Sequence, residues 1–148
     1  MMFITHIGFA IFIGLISVKF SSLPVSKYFF LLAIMLGSLL PDLDSATSFI
    51  GKKFKLVSLF FRHRGMIHSV VFLTGFSIIF FLITKNFYYF LAFAMGYLSH
   101  LLLDSMTPSG VAFFWPSKVR TRGTFKTTGF VDIILLVVLI FLNILLIL

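Results

Sequence analysis

Five apolar runs restrict what this chain can become. They cover residues 3–20, 23–40, 66–84, 87–103 and 130–148, and hold 18, 18, 19, 17 and 19 residues. A helix that crosses the hydrocarbon layer needs about 20 mostly apolar residues, within a range of roughly 17–25. Each run therefore predicts a short membrane-spanning helix. At 60% hydrophobic residues and a mean hydropathy of +1.16, the chain is too apolar for an ordinary soluble domain. The expected fold is all-α, a polytopic membrane bundle of about five transmembrane helices, with residues 1–148 forming one membrane-embedded domain. The first run is expected to be a retained helix and not a cleaved leader. No basic residue precedes it, and SVKFSS is a poor small-residue cleavage site.

The net charge of +8 invites a nucleic-acid reading, but the positions of the charges argue against one. Nine cations lie in the 41–64 and 106–129 loops: Lys52, Lys53, Lys55, Arg62, Arg64, Lys118, Arg120, Arg122 and Lys126. The opposite face carries Lys19, Lys27 and Lys85. Cytoplasmic loops hold the excess of Lys and Arg, so the first face is expected in the cytoplasm. That makes a multi-pass protein of the plasma (inner) membrane, with the N-terminus in and the C-terminus out. Membrane lipids are the expected partners and nucleic acid is not.

The chain has no cysteine, so there is neither a disulfide framework nor a thiolate metal site. It has no glutamate either. Its acids are Asp42, Asp44, Asp104 and Asp132, and its histidines His6, His63, His68 and His100. On the five-helix topology all eight fall toward the cytoplasmic end. His100 and Asp104 are four apart, so they share one helix face and can chelate one ion. In PDLD, Pro41 is expected to end the second helix with an extended exit, placing Asp42 and Asp44 on one side. Two carboxylates that close call for a cation or proton between them. His63 and His68, five apart, cannot share a helical face. His63 is expected in the loop, His68 in the first turn of the third helix, and Gly65 at the turn between them. Plainer readings stand beside these. His100 and Asp104 could be a buried hydrogen-bonded pair, although ionisable groups within membrane segments are costly and usually functional. Asp132 has an equally good reading as an acid complementing a helix N-terminus.

GSLLPDLD (37–44), HRGMIHS (63–69) and GYLSHLLLDSMTPSGVAFFWP (96–116), after an early Thr5–His6, resemble the YdjM-like family. These are the LexA-binding, inner-membrane-associated hydrolases, also described as membrane-bound and metal-dependent. The resemblance implies metal-dependent hydrolysis, with His6, Asp42, Asp44, His63, His68, His100 and Asp104 as site residues. Ile67 stands where the family commonly has threonine. The order of motifs is also weakly similar to zinc-dependent phospholipase C and single-strand nucleases, which suggests phosphoester chemistry.

These readings together give a His/Asp metal site built from His6, Asp42, Asp44, His68, His100 and Asp104. It would hold a divalent ion, zinc before manganese or iron, and room for two ions. Asp44 is expected as a bridging ligand or general base, His63 as a proton donor and Arg64 as a contact to a phosphate oxygen. The expected substrate is a lipid-like or interfacial phosphoester. A metal or proton transporter and a non-enzymatic regulator or scaffold are the alternatives. A transporter would place its polar groups near the bilayer midplane.

Overall fold

The computed structural model describes residues 1–44, 66–117 and 119–148, and of Leu43 and Asp44 the backbone alone. Five α-helices are found among them: α1 (Phe3–Phe20), α2 (Lys27–Leu39), α3 (Val70–Thr84), α4 (Phe87–Ser105) and α5 (Phe130–Ile147). There is no β-strand among the described residues, only an isolated bridge between Val111 and Thr121. His63, Arg64 and the cations from Lys52 to Arg62 lie outside the description, as does Lys118.

By length and composition two helices, α1 and α5, can cross a membrane. α3 is equally apolar but has only 15 residues. α2 is shorter than its apolar run predicts. Pro24 disfavours helix in the residue before it, and the helix begins only after the extended Ser26. A second departure follows Leu39. Leu40–Asp44 form a 3-10 helix, so PDLD does not leave α2 extended. At about 120° per residue, Asp42 and Asp44 start from different sides of that turn and not from one.

α3 and α4 form a tight helical hairpin. Lys85 ends α3 in the left-handed region at φ 51°, and Asn86 caps α4 by accepting from the Tyr88 and Tyr89 amides. α4 is the central element, packed against α1, α2 and α3, whereas α5 packs on α1. The crossing of α2 and α4 is the closest. A Cβ built on Gly37 would lie 2.0 Å from the Phe93 carbonyl oxygen, and one on Gly96 would lie 1.9 Å from that of Ile34. Both positions need glycine because backbone meets backbone there. Above and below this crossing lie Phe30, Ala33, Ile34 and Ala92 in one apolar cluster, and Phe93, Tyr97, Leu101 and Val111 in another.

A candidate metal centre at one end of the helices

The α2–α4 crossing delivers Ser38 to His100. His100 Nδ1 lies 2.7 Å from the Ser38 carbonyl oxygen. A carbonyl only accepts, so Nδ1 carries the hydrogen and the lone pair is on Nε2. That Nε2 is fully buried and makes no hydrogen bond among the described residues, although Asp42 Oδ1 is 3.8 Å away and Asp104 Oδ2 3.9 Å. A buried nitrogen with an unused lone pair is costly unless something binds it. Ser38 also donates its hydroxyl to the His6 carbonyl at 3.3 Å, so one residue braces both α1 and α4.

His6, one turn into α1, stacks on His100 with ring centroids 3.9 Å apart and planes 12° apart. Its Nε2 is 3.3 Å from Asp104 Oδ1, and its buried Nδ1 has no hydrogen-bond partner among the described residues. The Met1 amino group donates to the same Asp104 oxygen at 2.9 Å. His68 approaches Asp104 Oδ2 to 3.7 Å and sits edge-on to His100. The sequence places it in the first turn of the third helix, but it belongs to no helix. It lies in a turn just before α3, whose N-cap is Ser69, accepting from the Phe72 amide. The turn is pinned from two sides. The Tyr97 hydroxyl donates to the Ile67 carbonyl, and the Val70 amide donates to that of Phe113.

Two overlapping groups result, His6–His100–Asp104 and Asp42–His68–His100, each with ligand atoms within 4.8 Å of one another. Both could hold a metal ion. They share His100, and Asp104 reaches toward both: Oδ1 faces His6, and Oδ2 faces His68 and His100. The donors are nitrogen and oxygen only, and three are imidazoles, a set that suits zinc, manganese or iron. Five of the residues singled out from sequence thus come together: His6, Asp42, His68, His100 and Asp104. His63, Arg64 and the Asp44 side chain lie outside the described residues.

Asp132 is the acid that stands apart. It is buried in the first turn of α5 and accepts from Met2 N (2.9 Å), Thr5 Oγ1 (2.8 Å) and Thr128 N (3.0 Å). These three donors tie α5 to α1, and Asp132 belongs to neither donor group. Ser38 was missed at the sequence level because its contribution is a backbone carbonyl. The usable signal was the pair of glycines, Gly37 and Gly96, one residue before Ser38 and four before His100.

Long apolar helices with a buried His/Asp donor cluster at one end define a helical membrane protein with a candidate metal centre. The chain belongs to the YdjM inner membrane protein family, whose model matches residues 1–147. Inner membrane protein YdjM of Escherichia coli (strain K12) is 37% identical over 97 residues, covering 60% of this chain and 50% of that protein. The protein of the same name from Shigella flexneri matches equally. YvsG of Bacillus subtilis (strain 168), described as an uncharacterized protein, is 36% identical over 94 residues, covering 58% of this chain and 56% of its own. The chain thus spans about half the length of the curated relatives it matches. No solved structure matches it.

Proposed function

We propose that the chain is a membrane-bound metal-dependent hydrolase acting on a phosphoester at the cytoplasmic surface of the inner membrane. One observation carries this reading. Donors from α1, the 3-10 turn, the turn before α3, and α4 converge on a buried His100 Nε2 that nothing in the described protein satisfies. His6, Asp42, His68, His100 and Asp104 would hold the ion, zinc before manganese or iron. With its two oxygens facing different imidazoles, Asp104 would be the residue shared if two ions bind. A divalent ion there supplies Lewis acidity toward a phosphoryl oxygen and lowers the pKa of bound water. The protein's part is to keep His100 in one tautomer through Ser38 and to exclude bulk water by burial. Asp44 is proposed as the base or a further ligand, Arg64 as the contact to a phosphate oxygen and His63 as a proton donor.

The direct test is release of phosphate or headgroup from mixed lipid vesicles with added zinc or manganese. Asp42→Asn is expected to lower the rate by about 100-fold, since removing even outer partners of a metal ligand costs about 10–100-fold. Equal release by both proteins, or release only from peptide or glycan substrates, would remove the phosphoester assignment and leave the metal site standing.

The same reading includes five membrane crossings in one domain, with the 41–64 and 106–129 loops cytoplasmic. The nine-to-three imbalance of Lys and Arg supports it. Cysteines placed singly at Lys53 and Lys85 should react with a membrane-impermeant reagent from opposite sides of sealed membranes. Labelling of both from one side would remove an odd number of crossings between them.

A further inference from the structure

The segment after α4 is built as a braced hairpin. It starts two residues past Asp104, where the Thr107 hydroxyl donates to the Asp104 carbonyl. Phe125 N bonds to Met106 O, Gly123 N to Thr107 O, and Val111 and Thr121 exchange both backbone bonds at 3.0 Å. Gly110 turns the chain at φ +63°, and the Arg122 stem and Thr121 carbonyl occupy the space a side chain there would need. Arg120 donates to the Ser109 carbonyl and so helps to close the two legs. At the tip, Trp115 packs edge-on against Phe72 of α3.

This ordered hairpin carries an unusual surface. Phe114 and Val119 are each 75% exposed and Trp115 is 37% exposed. On the returning leg Arg122 and Lys126 are also exposed. No acid occurs from Ser105 to Val131. A nucleic-acid site could stack bases on the two aromatics, but it gives no reason for the exposed Val119 or for setting the hairpin among apolar helices. A membrane surface uses both: aromatics settle at the headgroup level, and cations are drawn to anionic lipid within a Debye length.

We infer that the 106–125 hairpin, with Lys126, is a recognition element for anionic phospholipid, seating the headgroup phosphate against Arg122 and Lys126 with Phe114 and Trp115 at the acyl boundary. This rests on the proposed hydrolase reading for its meaning and narrows the substrate class to an anionic lipid phosphoester. The hairpin grows directly from Asp104, so a lipid held there lies beside the donor cluster.

Trp115 is the chain's single tryptophan, so the unmodified protein carries its own probe. The full chain is placed in nanodiscs of phosphatidylcholine containing a fixed fraction of acyl-brominated phosphatidylcholine or acyl-brominated phosphatidylglycerol. Quenching of Trp115 should be stronger with the brominated anionic lipid by about twofold or more, since each cation near an anionic surface favours it by a factor of about five. Arg122→Gln with Lys126→Gln should bring the ratio to one without shifting the emission maximum. Equal quenching of the wild type by both lipids, no quenching by either, or a preference that survives the double substitution would each overturn the inference. None of these readings depends on metal or turnover, so the hydrolase reading stands or falls separately.

Discussion

Protein carrying His100→Ala is expected to leave purification with at least about tenfold less transition metal than wild type, measured by elemental analysis in mild detergent. His100 is the member common to both donor groups, so its loss dismantles each of them at once. It also strands the Ser38 carbonyl and unstacks His6. Asp132→Asn is the matched comparison. It alters a buried acid at the same end of the molecule, yet one that lies outside both donor groups and accepts from Met2, Thr5 and Thr128. It should cost about 1–3 kcal/mol of stability through a misplaced donor, and should leave the metal content close to wild type. If wild type and His100→Ala are equally empty, the cluster is a hydrogen-bond network and the hydrolase reading fails with it.

The second large effect lies in the backbone. Gly96→Ala or Gly37→Ala puts a methyl group about 2 Å from a carbonyl oxygen of the facing helix. Neither backbone can yield without separating α2 from α4, and an effect above about 4 kcal/mol is expected, the range reserved for such clashes. Gly75→Ala on α3 is the control. A Cβ there meets nothing within 4 Å, and helix propensity alone predicts a gain of up to about 1 kcal/mol. Thermal unfolding in detergent should therefore rank Gly75→Ala at or above wild type and both crossing variants far below it. Because the same crossing sets the Ser38–His100 bond, Gly96→Ala should also lower metal retention in whatever fraction folds. A Gly96→Ala protein that unfolds with the wild type would mean the helices are not in contact at this point.

Helix positions and the donor set were legible because they depend on local pattern. Long apolar runs mark helices whatever surrounds them, and four-residue spacing puts His100 and Asp104 on one face by geometry alone. The misreadings share a different cause. Pro41 predicts an extended exit, but proline's fixed φ also suits a 3-10 turn, and the contact of that turn with α4 decides between the two. His68 lies outside α3 because Ser69 takes the cap, a choice set by the Tyr97 and Phe113 contacts from distant segments. α2 is short because Pro24 disfavours helix in the residue before it and the helix starts only after Ser26. Ser38 acts through its main chain, which no residue letter announces, and Asp132 takes the place of an acid in the first turn of a helix that the sequence also allows it.

The bond between Thr5 and Asp132 has a consequence for how the protein is made. It joins α1 to α5, across 127 positions. His6 is the next residue after Thr5. α1 can rest early against α2 and α4, but the anchor that fixes its rotation does not exist until α5 has been made. Assembly of the donor cluster thus waits on α5, and a nascent chain stalled before residue 132 would carry its histidines without the bond that holds α1 in register.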